Sequence, residues 1–321
     1  MPNDFFSKQI YFAPLQGYTG ADYRNLHQKY FSGVDKYFTP YLRFEPHKSL
    51  KKSVLKDIRA ENNKAINLVP QILGTDISMF LALSKQMQDE GYTEMNWNLG
   101  CPYPMVTKRG FGSALLQKPE KVRDILEAVF KNINMKLSVK CRLGFEAPDE
   151  ILDLLRVFND FPISELIVHT RTAKQMYKGR ANPNAFLPVL QESKIPLVYN
   201  GDIQTIEDAR QLSILLGKSV GAFMLGRGLL MNPFLASELK GEMYSESEKR
   251  SILRDFHSDL FEYNKQQLEP SHLLGRMMTH WEYLSFMFEN QHKIFKAIKK
   301  AKRIDKYEAL INEIMLKEIL K

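Results

Sequence analysis

The stretch Asn98-Leu99-Gly100-Cys101-Pro102 closes the strand-like run that begins at Glu94 with a thiol set between a glycine and a proline. A buried strand has to stop there and open a loop, which is where parallel-sheet enzymes carry their chemistry. A cysteine so placed can donate a proton or attack an electrophile, although a Gly-Cys-Pro turn alone more often holds a small buried hydrophobe. Further on, Ser138-Val139-Lys140-Cys141-Arg142-Leu143-Gly144 puts Lys140 and Arg142 two apart, hence on one face of a strand, with Cys141 on the other. Two cations aimed into a protein interior need an anionic partner, because unpaired buried charge is costly. Glu94 and Glu165 are almost the only carboxylates of the proposed strands and both stand at strand starts, so a bound anionic ligand explains the pair better than a structural ion pair. His169 adds a titratable group in His169-Thr170-Arg171-Thr172, though alone it would more often be a hydrogen-bonded structural residue. Asn200-Gly201-Asp202 and Gly226-Arg227-Gly228 then combine glycines, whose backbone amides can approach phosphate oxygens, with an arginine that can pair with them bidentately.

These residues need a frame that brings them to one rim. Strand-like runs closed by Gly, Pro or Asn fall at Tyr11 to Leu15, Lys36 to Pro40, Ala65 to Ile72, Glu94 to Leu99, Lys136 to Leu143, Glu165 to Thr170, Pro196 to Asn200 and Ala222 to Leu225. Amphipathic segments at Ala21 to Tyr30, Asp76 to Glu90, Lys118 to Asn132, Pro148 to Asn159, Pro183 to Glu192 and Thr205 to Leu216 read as helices, with Asp76 capping its own. Eight mostly apolar strands alternating with helices predict an α/β protein with a closed (β/α)8 TIM barrel. In such a barrel the chemistry sits on the loops after the strands, with phosphate after the seventh and eighth, where the two glycine triplets fall. A helix following from Leu229 could add its N-terminus there.

Beyond Ser245 the pattern is helical only, which predicts a small all-helical domain over residues 241–321 after a barrel over residues 1–240. Leu274, Met277, Met278, Trp281, Leu284 and Phe288 recur at helical spacing and are expected to pack it. In Lys293 to Lys306 a single helix would group Ile294, Ala297, Ile298, Ala301 and Ile304 on one face and Lys293, Lys296, Lys299, Lys300, Lys302, Arg303 and Lys306 on the other. Such a run is usually a solvated face, but seven cations against Asp305 suit phosphate comparably well.

At 321 residues, with 44% hydrophobic and 26% charged residues, the composition is that of a globular protein with ample core. No run approaches the roughly 18 apolar residues of a membrane helix, and Met1 to Ile10 lacks the features of a signal peptide, so a cytoplasmic protein is expected. A monomer is the expectation, and a net charge of +8 is compatible with a polyanionic partner. Two cysteines cannot build a disulfide framework or a four-thiolate zinc site, and neither Cys-x-x-Cys nor His-Glu-x-x-His occurs, so no metal is expected. A phosphate seat, an inward lysine, a histidine, Gln71 closing the third strand and the cysteine loop suit a phosphate-bearing redox cofactor. FMN fits best, because Lys140 could stabilise the negative charge of a reduced flavin. No Gly-x-Gly-x-x-Gly fingerprint occurs, so NADPH or NADH would be a transient reductant.

As a set, Ala13-Pro14-Leu15-Gln16-Gly17-Tyr18-Thr19, Pro70-Gln71, Asn98-Leu99-Gly100-Cys101-Pro102, Lys140-Cys141-Arg142-Leu143-Gly144, His169-Thr170-Arg171-Thr172, Asn200-Gly201-Asp202 and Gly226-Arg227-Gly228 resemble the motifs of the tRNA-dihydrouridine synthases. They span the predicted barrel in family order, and the tail resembles that family's helical tRNA-binding domain. The resemblance implies FMN-dependent reduction of the C5–C6 double bond of a uridine in tRNA, with a hydride to C6 and a proton from Cys101 to C5. It implies that Pro14, Gln71, Lys140, His169, Asn200, Gly201, Asp202, Gly226 and Arg227 surround FMN and that Asn98, Arg142 and Arg171 face the substrate. Lys108, Arg109, the basic stretch Arg43 to Lys64, Lys293, Lys296, Lys300 and Arg303 would hold tRNA phosphates. An ordinary thiol, with a pKa of about 8.5, is still protonated at neutral pH and suits the acid's role. Leu15, Gly20 and Thr170 depart from the family's usual Met, Asp and Gly, and Tyr103-Pro104-Met105 replaces the usual small and polar residues after the cysteine. The extended first loop and long tail lean towards the C-type subfamily, which acts on the D-loop, with position 16 the expected uridine. The alternatives are an FMN barrel acting on a free pyrimidine, like a dihydroorotate dehydrogenase, and a tRNA-binding module whose catalysis is lost.

Overall fold

The computed structural model describes residues 7–43, 52–217 and 220–321. Ten parallel strand segments form one sheet: β1 (Gln9–Phe12), β2 (Lys36–Phe38), β3 (Leu42–Arg43), β4 (Leu68–Val69), β5 (Gln71–Leu73), β6 (Glu94–Leu99), β7 (Lys136–Gly144), β8 (Leu166–Thr172), β9 (Leu197–Asn200) and β10 (Ala222–Leu225). β10 pairs with β1, β1 with β2, β2 with β4, and β5 with β6, so the ring closes through Pro70, which separates β4 from β5. Proline has no N–H to give to the ladder, yet its carbonyl accepts from Asn96 N at 2.9 Å. The predicted third strand is therefore one barrel strand in two pieces, beginning at Leu68 rather than Ala65. β3, which pairs with β5, was not expected.

The barrel part of the chain carries α1 (Ala21–Tyr30), α2 (Lys52–Ile58), α3 (Ile77–Asp89), α4 (Pro104–Thr107), α5 (Pro119–Asn132), α6 (Glu150–Phe158), α7 (Leu187–Glu192), α8 (Ile206–Leu216), α9 (Arg227–Met231) and α10 (Leu235–Leu239), of which α2, α4 and α10 were not expected from the sequence. Asp76 accepts from Met79 N at the start of α3, and Thr205 with Asp208 forms a capping box on α8. Part of the basic stretch expected to hold phosphates, residues 44–51, lies outside the described residues. Among the described residues no helix is long and apolar enough to cross a membrane.

Inside the ring, Tyr11, Ala13, Phe38, Val69, Ile167, Val198, Ala222 and Met224 fill the barrel. Below them Lys36 ties Glu94 (3.1 Å) and Glu165 (2.9 Å) together, and Tyr11 Oη donates to Glu165 at 2.6 Å. The strand-start carboxylates are thus taken at the base of the barrel and are not the partners of Lys140. Cys141 faces outward into the core between sheet and helices, where burial pushes its thiol up to about 12 and keeps it protonated and inert.

The remainder folds into α11 (Glu246–Lys265), α12 (Pro270–Leu284), α13 (Gln291–Lys300) and α14 (Ile304–Lys317). Met277, Trp281, Leu284 and Phe288 are buried as predicted, and Leu274 and Met278 are partly buried against them. Lys293 to Lys306 is two helices, not one: the backbone turns extended at Arg303, ahead of α14. Ile294 and Ile298 seat the first helix, while Tyr307 and Ile311 seat the second. The apolar spacing runs through the break without a Gly or Pro to mark it. Phe256 of α11 packs on Tyr23 (5.6 Å) and Phe31 (4.9 Å) of the α1 region, joining the helical region to the barrel in one core.

Candidate active site at the barrel mouth

The cavity of about 330 Å³ lies at the C-terminal ends of the strands. Its floor is built from side chains of β5 to β9 that alternate inward. Asn96 Nδ2 donates to Ser138 Oγ (3.0 Å), Gln71 Nε2 to Asn96 Oδ1 (2.7 Å), and Asn98 Nδ2 to Gln71 Oε1 (2.7 Å). Asn98 Oδ1 then accepts from the backbone N–H groups of Gly100 (3.0 Å) and Cys101 (2.9 Å). This chain of amides sets the course of the cysteine loop. On its far side Ser113 donates to Cys101 O through both N (3.1 Å) and Oγ (3.0 Å). Gly112, at φ +59°, passes so close that a Cβ would lie 2.7 Å from that same oxygen. Cys101 is only 7% exposed, lines the cavity and is in no disulfide.

Lys140 stands in the same cavity. Its Nζ donates to Asn200 Oδ1 at 2.9 Å, and no carboxylate pairs with it among the described contacts. Desolvation, with Arg142 as a second cause, brings its pKa down to about 8. Arg142 is held by three carbonyls: Gly100 and Thr172, each at 2.9 Å, and Met176 at 2.8 Å. His169 Nδ1 lies 3.0 Å from Asn200 Oδ1 and its Nε2 lies 3.3 Å from Arg171 NH1, which assigns the proton to Nδ1. Burial first, then Arg142 and Lys140, holds its pKa well below the usual range, so the ring is neutral. Asn200 Nδ2 donates to Met224 O at 2.7 Å, completing the network.

At the opposite end Asp202 joins two arginines. Arg227 reaches its Oδ1 at 2.9 Å, and Arg171 and Ala181 N (2.8 Å) bond its Oδ2. Burial raises the Asp202 pKa, but Ala181 N and the arginines more than offset it and hold the carboxyl below its ordinary value. Gly228 passes so near the loop after β9 that a Cβ would meet Ile203 O at 2.2 Å, which keeps the two glycine turns in contact. α9 starts at Arg227, two residues ahead of the expected Leu229.

Of the residues singled out in the sequence, the cavity gathers Cys101, Pro14, Gln71, Asn98, Lys140, Arg142, His169, Asn200, Gly201, Asp202, Gly226 and Arg227. Arg171 is 2% exposed, lies outside the cavity lining, and bonds Asp202, His169 and Gly179 O. Through His169 it orients a residue of the cavity wall. Lys108 and Arg109 are exposed on the turn after α4, outside the lining. Lys293, Lys296, Lys300 and Arg303 are exposed on α13 and at the start of α14, with Lys293 paired to Glu318 (3.2 Å) and Arg303 to Asp305 (2.9 Å). Sequence reasoning missed Asn96 and the tyrosines of the mouth, Tyr18, Tyr41, Tyr103, Tyr177 and Tyr283. Asn96 had a signal, since it alternates with Asn98 in an otherwise apolar strand. Tyr283 had none, because α12 reaches the mouth only through tertiary packing. Among the described residues no cluster of His, Cys, Asp and Glu could hold a metal ion.

The dihydrouridine synthase family profile matches residues 11–318. The chain is 29% identical over 285 residues to tRNA-dihydrouridine synthase B of Shewanella oneidensis, covering 88% of this chain and 84% of that one. It is 25% identical over 317 residues to the tRNA-dihydrouridine(16) synthase of Aquipseudomonas alcaligenes, covering 94% and 98%. Among solved structures, histamine dehydrogenase from Rhizobium shares the barrel fold at a TM-score of 0.57 and 10% identity, over 79% of this chain and 48% of that one.

Proposed function

Because the chain belongs to the dihydrouridine synthase family, we propose that it is a tRNA-dihydrouridine synthase that reduces the C5–C6 double bond of a D-loop uridine, position 16 being the leading candidate, with FMN as cofactor and NADPH or NADH as electron source. The observation that carries this reading is the meeting of Cys101 and Lys140 in one cavity whose far end holds Arg227 on Asp202. FMN suits the residues present: Lys140 is a desolvated ammonium with no carboxylate partner among the described contacts, and the glycine turns line the same cavity beside Arg227. Gln71, Lys140 and His169 would hold the ring system, with Pro14 and Asn200 beside them, and Gly201, Gly226 and Arg227 the phosphate. When bound and reduced, FMN supplies the hydride. Cys101 then holds the proton destined for C5, on a loop whose course Asn98 and Ser113 set. Asn98 and Arg142 border the space left for the base, while the exposed cations of the tail suit tRNA phosphates.

The test is the purified protein's visible spectrum, with flavin bands near roughly 370 and 450 nm, followed by dihydrouridine formation on unmodified tRNA with NADPH. Cys101→Ala is expected to keep the spectrum and lower turnover by about 10²–10⁴-fold. Turnover at the wild-type rate would remove Cys101 from the proton donor's role. A colourless protein that binds tRNA would favour a binding module, and reduction of free pyrimidines in preference to tRNA would favour the dihydroorotate dehydrogenase-like reading. Deleting residues 245–321 does not separate these cleanly, because it also removes Tyr283 from the cavity wall.

A further inference from the structure

Three tyrosines from three elements stand around the cavity mouth: Tyr103 after β6, Tyr177 after β8 and Tyr283 of α12. Tyr177 is engaged, with the guanidinium groups of Arg142 and Arg227 at 5.3 and 5.4 Å from its ring centre. Tyr283 is engaged as well, edge-on to Tyr18 at 5.2 Å. Tyr103 is 44% exposed and makes no ring contact among the described residues, though it lines the same cavity as Cys101. Its backbone is nonetheless firmly held. Pro102 and Pro104 flank it, and its carbonyl accepts from Val106 N at 2.8 Å and Thr107 N at 3.0 Å. Met105, 66% exposed, stands beside it, and Lys108 and Arg109 are exposed one turn on.

An aromatic side chain left 44% exposed on a firmly held backbone costs apolar exposure and makes no ring contact with the core among the described residues. Combined with two nearby cations, it has the make-up of a stacking platform for single-stranded nucleic acid. A uridine entering the cavity leaves the base stack, and the base that adjoined it loses a neighbour. We propose that Tyr103 stacks on the base adjoining the reduced uridine and holds the opened strand over Cys101, with Lys108 and Arg109 on its backbone. The proposal rests on tRNA being the substrate.

The experiment uses full-length, flavin-containing protein and an unmodified tRNA transcript, with Kd for the transcript and kcat/KM for dihydrouridine formation measured for wild type, Tyr103→Ala and Tyr103→Phe. Expected is a loss of about tenfold in both quantities for Tyr103→Ala, carried by KM, with recovery to within about twofold in Tyr103→Phe, which keeps the ring. The flavin spectrum checks that both variants are folded and loaded. Wild-type values in Tyr103→Ala would overturn the proposal. So would equal damage in the two variants, which would point to the hydroxyl group acting on Cys101. A wild-type protein that binds the transcript without reducing it would sink the proposed reaction while leaving the Kd arm to decide on Tyr103. One that neither binds nor reduces it would overturn both.

Discussion

Lys140 carries a charge that the apoprotein gains little by holding. Its one hydrogen bond goes to a neutral amide oxygen, Arg142 is a nearby cation, and its pKa falls to about 8. Lys140→Met keeps the volume and removes the desolvated ammonium. Flavin-free Lys140→Met is therefore expected to be more stable by on the order of 1–3 kcal/mol in urea unfolding at pH 7, and to retain less flavin on purification. The sign follows from the lowered pKa: the folded chain holds this proton less tightly than the unfolded chain, so the cost is present below pH 8 and shrinks as pH rises from there towards 10.5. A variant that binds flavin as well as wild type would show that the ammonium serves something else. Stability spent at one residue of a binding site is a familiar exchange for function.

At the scale of elements, the site is an agreement between β6, β7 and β8, their following loops, and α12. Much of this was legible in the sequence. The alternation Lys140, Cys141, Arg142 set which cation faces the cavity and which thiol does not, because a strand's period leaves no freedom. Glycine turns marked the ends of β9 and β10 because the backbone there must come close to something. The role of Arg171 was not legible: two residues beyond His169 it should share that side chain's face, yet the loop after β9 brings Asp202 against it, and no local pattern encodes that approach. The break at Arg303 was equally invisible, since apolar spacing continues across it. Arg276 of α12 bonds Gly17 O and pairs with Asp22 at 3.1 Å, anchoring the loop that supplies Leu15, Gln16 and Tyr18 to the cavity. Burial pushes the Asp22 pKa up, but Arg276 more than offsets it and keeps the carboxyl ionised. A double-mutant cycle of Arg276→Ala and Asp22→Ala, read by urea unfolding, is expected to show a coupling of about 1–2 kcal/mol. Additive losses would mean that the pair is incidental.

At the scale of the whole molecule, three buried histidines sit around the contact between α1 and the helical region. Burial lowers His27 and His280 to about 3 and His257 to about 4. His280 stacks on Tyr23 at 5.0 Å, with neither ring nitrogen hydrogen-bonded among the described residues, while His257 meets Tyr307 Oη at 2.7 Å. The unfolded chain takes up these protons below about pH 6.5 and the folded chain does not, so stability is full above that pH and falls as the solution is acidified towards 3–4, by up to about 1.4 kcal/mol per pH unit for each ring. Urea midpoints are expected to drop between pH 7.5 and 5, and His280→Phe to make that drop shallower; an unchanged slope would remove His280 from the account. The same contact carries a consequence for recombination. Tyr283 belongs to the helical region yet forms part of the cavity wall, and its neighbour Glu282 accepts from Tyr18 of the first barrel loop at 2.7 Å. Exchanging tails between relatives therefore transplants a piece of the cavity wall along with the helical region, and a chimaera inherits its tail and the shape of its cavity as one trait.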